Sequence, residues 1–200
     1  MIWLFTILFA LSTSAHPLET PEAPAITDTF NLYAYGEGIS GLPVFYADGK
    51  AEIGDPTLST AEFAQPVYFT TSPTSIHTFL AHPNTTTTNV AQFTSLVFTL
   101  PATDSTDGRV QFTNPATESG FTALVNSASQ FDVYGNYILI EAENANFYAI
   151  PSEEEGVWGL VWSDVEIQQG EVAVSLRTIA PATDTLLRGD TIERFRGDVY

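Results

Sequence analysis

The 200-residue sequence contains no cysteine, so disulfide scaffolds, thiolate zinc sites and cysteine nucleophiles are excluded. Basic side chains are also scarce, because 6 Lys and Arg residues stand against 24 Asp and Glu residues, for a formal net charge of −18. A surface of this sign repels phosphate backbones and anionic lipids. We therefore expect neither a nucleic acid nor a membrane as a partner.

Apolar runs long enough to span a bilayer are absent, and the longest apolar stretch lies at the N-terminus, at residues 2–11. It is followed by small residues up to Ala15, which is the pattern of a signal peptidase site. The sequence predicts a signal peptide over residues 1–15 and a secreted, extracellular mature protein. Asn84 begins the only N-glycosylation sequon without proline, and we predict that it carries a glycan at the surface.

The rest of the chain has no convincing helical period of apolar residues. Residues 16–25 are rich in Pro and Glu and predict an extended arm, whereas residues 26–200 predict a single domain. Short aromatic and β-branched runs with regular turn signals favour an all-β fold, an antiparallel β-sandwich of jelly-roll or lectin-like type. Asp48-Gly49 predicts a type I′ hairpin. Further strands are expected at residues 30–35, 67–71, 95–100, 109–113, 131–134, 137–140, 147–150, 157–162 and 171–177.

Two other segments are interpreted differently. Residues 70–89 are rich in Ser and Thr and predict a long exposed loop around at most one short strand. Residues 58–63 predict one helical turn, with Ser59 or Thr60 as its cap.

Two phrases in this sequence carry a resemblance. Residues 35–49 (YGEGISGLPVFYADG) and residues 174–181 (VSLRTIAP) resemble segments of small secreted fungal proteins of unassigned activity. The resemblance implies an extracellular fungal β-rich domain. It implies no catalytic residue.

Aromatic side chains make up 12% of the sequence, and half of those on alternating strands should face away from the core. Exposed Tyr and Trp side chains stack on sugar rings, and neighbouring polar groups bond to the hydroxyls. Core, edge and corner positions are the structural alternative for these residues. We expect a secreted noncatalytic protein, extracellular or associated with the cell wall, monomeric and without a cofactor, that binds glycan through Tyr134, Tyr137, Trp158 and Trp162.

A glycoside hydrolase is the alternative from another class. Glu141 and Glu143 follow an apolar strand two residues apart, which places their carboxylates on one face about 7 Å apart if the strand continues. Paired carboxylates at roughly 5 to 9.5 Å perform glycoside hydrolysis. A solvated strand end explains the same pair, and Asp164 and Glu166 repeat the pattern.

Two metal sites are remote alternatives. His16 becomes the N-terminal residue after cleavage, and with His77 or His82 it offers the ligands of a copper enzyme. Asp104 and Asp107 lie in an oxygen-rich loop that offers ligands for calcium, and residues 152–156 form a second such loop, although neither loop alone has the spacing of a calcium motif. Hairpin turns are the favoured explanation of both loops, because Asp-Gly and Glu-Gly are ordinary turn residues.

Overall fold

The computed structural model describes residues 29–84, 91–101, 106–114, 131–140, 145–163 and 170–182. The predicted signal peptide and arm lie outside these residues. The described part of the chain contains a 3-10 turn, Pro56–Leu58, and twelve strands. The strands are β1 (Tyr33–Gly36), β2 (Ile39–Ala47), β3 (Lys50–Gly54), β4 (Ala64–Ser72), β5 (Ser75–Pro83), β6 (Leu96–Thr99), β7 (Gln111–Thr113), β8 (Phe131–Tyr134), β9 (Tyr137–Ile140), β10 (Asn146–Pro151), β11 (Val157–Ser163) and β12 (Val172–Arg177).

Ten of these strands pair into a closed antiparallel barrel. The order is β1-β2-β4-β5-β6-β7-β3-β11-β10-β12, and β12 pairs back with β1. Strands β2 and β3, which are not neighbours in this order, also pair with each other as a hairpin. The β8–β9 hairpin supplies two extra strands, joined to β12 through the pair Arg177 and Tyr137. The prediction of an all-β antiparallel fold is confirmed, but the closed sheet is not plainly the predicted sandwich.

Phenylalanine rings fill the centre of the barrel. Six of them contact one another in a chain with ring centroids 5.0 to 6.4 Å apart. They are Phe30, Phe69, Phe79, Phe98, Phe112 and Phe131. Offset and edge-to-face ring pairs add about 0.5 to 1.5 kcal/mol each beyond the burial of their area. Since Phe131 belongs to β8, the same cluster holds the β8–β9 hairpin against the barrel.

A smaller core lies on the other face of the β2–β3 hairpin. Phe45, Ala47 and Val157 are buried there under the segment that follows β3. This segment contains the 3-10 turn, which Asp55 caps by accepting a hydrogen bond from the Thr57 backbone N–H at 2.9 Å. The predicted helical turn at residues 58–63 is wrong, because the proline and the Asp55 cap start a shorter turn before it.

Turns and strands otherwise follow the sequence closely. Asp48 and Gly49 have φ values of 47° and 84°, which confirms the type I′ turn. The predicted strands at residues 131–134 and 137–140 coincide with β8 and β9. The prediction of a long exposed loop at residues 70–89 is wrong for most of that segment. Strand β5 occupies nine of its residues and buries Phe79 and Ala81. Threonine is β-branched and suits strands, so its abundance there does not mark a loop.

Candidate functional site

Four strands place aromatic and cationic side chains in a line on the outer face of the sheet. Tyr33 pairs with Arg177, Arg177 with Tyr137, and Tyr137 with Tyr134. Directly opposed residues of antiparallel strands point to the same face, so these four side chains, which we call the tyrosine row, share one surface. Neighbouring strands lie about 4.8 Å apart, and the row therefore spans about 14 Å.

The flanking residues show that this face points outward. Ala34, Ile138 and Leu176 alternate with members of the tyrosine row along their strands, and all three are buried. Tyr134 is 74% exposed and Tyr137 is 42% exposed. Both flank the tight turn of the β8–β9 hairpin, in which Gly135 adopts a φ of 61°. The row is thus most accessible at the end formed by this hairpin.

Arg177 connects the hairpin to the barrel through its guanidinium. The guanidinium carbon lies 4.7 Å from the ring centroid of Tyr35 and 4.4 Å from that of Tyr137. The Tyr35 hydroxyl donates a hydrogen bond to the Ile179 carbonyl at 2.8 Å, which fixes this ring. Cation–π contacts contribute about 0.5 to 1 kcal/mol each at exposed sites. The stack therefore orients the Tyr137 ring within the row.

The predicted binding residues separate into two groups. Tyr134 and Tyr137 lie in the tyrosine row, whereas Trp158 and Trp162 are half-buried and pack against the main core. Trp162 contacts Phe147 edge to face with ring centroids 4.9 Å apart. The two tryptophans are therefore not members of the row.

Sequence reasoning did not single out Arg177 or assign Tyr33 and Tyr35 to a site. Period-2 alternation already places Tyr33 and Tyr35 on one face of a strand. Alternation does not reveal that β1 pairs with β12, and this pairing brings Arg177 beside the two tyrosines. No local signal identifies that partner.

The predicted catalytic pair, Glu141 and Glu143, lies outside the described residues, as do His16 and Asp104. Asp107 is engaged in its own turn, where it accepts a hydrogen bond from the Arg109 backbone N–H at 3.2 Å. Residues 29–84, 91–101, 106–114, 131–140, 145–163 and 170–182 contain no cluster of three or more His, Asp or Glu side chains suited to a metal ion. The two metal alternatives stay predictions.

The two described histidines have separate partners. His77 Nδ1 lies 2.7 Å from an Asp132 carboxylate oxygen, so it links β5 to β8. His82 stacks on Tyr68 with ring centroids 5.0 Å apart and lies 2.9 Å from the Thr70 hydroxyl. The histidines are five residues apart on one strand and so point to opposite faces. They do not form a joint metal site.

A charge pair lies beside the smaller core. Arg109 Nη2 is 3.6 Å from a carboxylate oxygen of Glu52, and the Ser59 hydroxyl donates to the other oxygen at 2.8 Å. The Arg109 guanidinium packs against Gly159, where an added Cβ would lie 2.5 Å from the guanidinium carbon. These contacts fix the segment after β3 and a neighbouring loop to the sheet, which gives the pair a structural role.

A shallow cavity of about 260 Å³ lies at the end of β5. It is lined by Thr29, Phe30, Asn31, Tyr68 and Asn84. Asn84, the residue of the predicted sequon, is exposed at this position. Its side chain is accessible to modification.

No protein-family profile, no curated protein and no solved structure matches this chain. The resemblance to small secreted fungal proteins therefore stays an expectation. In the part of the chain that the structure describes, no helix has the length and apolarity to cross a membrane.

Proposed function

We propose that this protein is a secreted, noncatalytic glycan-binding protein, extracellular or associated with the cell wall, and that it binds through the tyrosine row. The observation that carries the proposal is the alignment of Tyr33, Arg177, Tyr137 and Tyr134 across two barrel strands, β1 and β12, and the two strands of the attached β8–β9 hairpin. The hairpin is held to the barrel by the Phe131 ring contacts and by the stacking of Arg177 on Tyr137, so a ligand would bind a surface that is already ordered. The proposed function is still lectin-like, although the sheet closes into a barrel and is not plainly a sandwich.

The chemistry of the row suits sugar rings. The apolar C–H face of a sugar stacks on an aromatic ring, and neighbouring polar groups bond to its hydroxyls. Tyr134 supplies the most exposed ring of the row. Polar residues on the same strands and turn are Asp132 on β8, Asn136 in the β8–β9 turn and Ser175 on β12. Exposed Leu139 extends the apolar surface on β9.

The test is binding of the secreted protein to a panel of soluble and insoluble polysaccharides, by pull-down and titration calorimetry. Tyr134→Ala and Tyr137→Ala should each weaken binding about tenfold, if a sugar ring gains from stacking an amount at the lower end of the roughly 1 to 3 kcal/mol that a stacked nucleobase contributes. Leu58→Ala is the matched control, because Leu58 is 49% exposed and lies on the 3-10 turn. It should bind as the natural protein does.

Reducing-sugar release on the same panel separates binding from hydrolysis. The proposed function requires binding without release. Release that Glu141→Gln abolishes would support the glycoside hydrolase instead. An absence of binding to every polysaccharide would overturn the proposal.

A further inference from the structure

We propose that the glycan is acidic and that Arg177 binds the carboxylate of a uronic acid unit. This inference rests on the proposed function, because it names the class of ligand for the tyrosine row. Stacking on Tyr134 and Tyr137 would hold the sugar ring, and the guanidinium on the next strand would pair with its carboxylate. The ligand would therefore be a polyuronate rather than a neutral glucan.

The first support for this inference is the way the described Lys and Arg side chains are paired with carboxylates. Within the described residues three basic side chains occur, and two of them have carboxylate partners. Lys50 Nζ lies 3.5 Å from a carboxylate oxygen of Asp107. Arg109 lies 3.6 Å from Glu52. Arg177 forms no ion pair with a described residue, although acidic residues outnumber basic ones by 24 to 6 in the sequence.

The geometry of the guanidinium carries the second step. The guanidinium carbon lies over the rings of both Tyr35 and Tyr137, so two aromatic contacts restrain the group while its N–H donors are left for hydrogen bonding. The Nε atom is buried and has no hydrogen-bond partner among the described residues. A planar guanidinium restrained by ring contacts loses little further freedom on binding, and its fork of donors matches a carboxylate. Among the described residues Arg177 thus has no carboxylate partner, and its guanidinium is pre-oriented.

The rest of the row carries the third step. Arg177 is its only charged member, and its neighbours in register are the tyrosines Tyr33 and Tyr137. Asp132, on the same hairpin as Tyr134, is engaged by His77 at 2.7 Å. Carboxylates farther away act weakly, since the screening length is about 8 Å at physiological ionic strength. The net charge of −18 therefore does not prevent a short-range pair with an anionic sugar.

The test compares each acidic chain with its own uncharged ester. Polygalacturonate and polyglucuronate are titrated against the full-length secreted protein at 0.15 M NaCl, next to the same polymers with every carboxylate methyl-esterified. We expect about tenfold tighter binding of the acids, the size expected for a charge-assisted hydrogen bond in a partly buried site. Tyr134→Ala should weaken binding of acid and ester alike.

Arg177→Gln should bring the affinity for the acid down to that for the ester, and Arg177→Lys should keep part of the preference. Circular dichroism checks that each variant is folded. If Arg177→Gln does not fold, the salt series decides with the natural protein: the preference for the acid must shrink between 0.15 and 0.5 M NaCl, a range in which distant carboxylates are already screened. A preference independent of salt would overturn the inference.

Equal binding of acid and ester, or binding of neutral glucans alone, would overturn the inference and leave the proposed function standing. Binding of no glycan at all would remove both. The two failures are therefore distinguishable in one set of titrations.

Discussion

Asp55 is a residue at which local geometry changes proton affinity. The backbone N–H and the hydroxyl of Thr57 both donate to its carboxylate, at 2.9 and 2.7 Å. The backbone hydrogen bond and then the hydroxyl lower the pKa of Asp55 from its ordinary value. Because the folded pKa lies below the unfolded one, the stabilisation is complete above the unfolded value, about 3.9, and is lost as pH falls through the folded pKa.

Asp55→Ala should therefore lower the melting temperature at pH 7 and have a smaller effect at pH 3. The Asp55→Asn variant is the control, since its amide oxygen still accepts the cap hydrogen bond and does not titrate. The difference in melting temperature between Asp55→Asn and Asp55→Ala should therefore be the same at both pH values, because neither side chain titrates. Melting curves by circular dichroism measure this. An equal loss for Asp55→Ala at pH 7 and pH 3 would contradict the role of the carboxylate.

Tyr46 shows the opposite shift. Burial among Phe93 and Phe112 and the nearby charge of Asp48 raise the pKa of its hydroxyl, and a hydrogen bond with the Gly49 backbone lowers it by less. Its contribution to stability is therefore present below the unfolded pKa, about 10, and is lost as pH rises through the folded value.

Tyr46→Phe should move the midpoint of alkaline unfolding to higher pH, because a phenylalanine cannot become a buried phenolate. The substitution also removes the hydrogen bond at neutral pH, so the informative quantity is the slope of stability between pH 9 and 11. Tyr134→Phe, at an exposed position, is the control and should leave that slope unchanged. Denaturant titrations at each pH would measure it, and identical slopes for natural protein and Tyr46→Phe would refute the argument.

At the scale of elements, β11 depends on a glycine where it passes the charge pair. A Cβ at Gly159 would lie 2.5 Å from the Arg109 guanidinium carbon, and Gly159 pairs with Glu52 across the strands. Gly159→Ala should displace Arg109 and reduce the free energy of unfolding by about 1 to 3 kcal/mol, as overpacking does.

A double-mutant cycle checks the cause. Arg109→Ala removes the obstructing group, so adding Gly159→Ala to it should lower stability much less than Gly159→Ala alone. Urea titrations of the four proteins give the coupling free energy. Additive effects would show that Gly159 is required for another reason.

The elements differ in how far the sequence predicts them. The β8–β9 hairpin follows from local signals, because apolar alternation and a Gly-Asn turn lie within ten residues. The β5 strand does not, since its Ser and Thr content suits a loop and a strand alike. The tyrosine row depends on the partner of β1, which lies at the other end of the domain. Periodicity fixes which face Tyr33 occupies but carries no information about Arg177, and the closure of the barrel is unpredicted for the same reason.

At the scale of the whole molecule, the excess of acidic residues should govern the dependence of stability on pH. Repulsion among many carboxylates favours their protonation in the compact state, so it destabilises the fold at neutral pH and fades as pH falls. We expect a higher melting temperature near pH 5 than near pH 8. The cap at Asp55 does not interfere, because its stabilisation is lost only at lower pH.

Added salt should narrow the difference between pH 5 and pH 8, since it screens exposed charges. Melting curves at both pH values, with and without 0.5 M NaCl, are the measurement. Greater stability at pH 8 would indicate that specific donors or a bound cation hold the carboxylates, and would favour the calcium site at Asp104 and Asp107.

Secretion is testable on the whole chain as well. Intact-mass analysis of culture medium should show a product that begins at His16 and carries a glycan whose mass disappears in Asn84→Gln. Thr85→Ala is the control, because it changes the middle residue of the sequon and keeps the acceptor and Thr86. A product that retains Met1 would contradict the predicted signal peptide.

The pairing of β1 with β12 also determines when, during synthesis of the chain, the tyrosine row can form. Tyr35 and Ser175 meet across it although 140 residues separate them in the chain. At a synthesis rate of about 5 to 20 residues per second, β1 waits roughly 7 to 28 s for its partner to be made. Tyr33 and Arg177 come together only when that partner arrives, so the tyrosine row does not exist on the growing chain. A nascent chain cannot present this surface to a ligand during its synthesis, and the surface forms only after β12 has been synthesised.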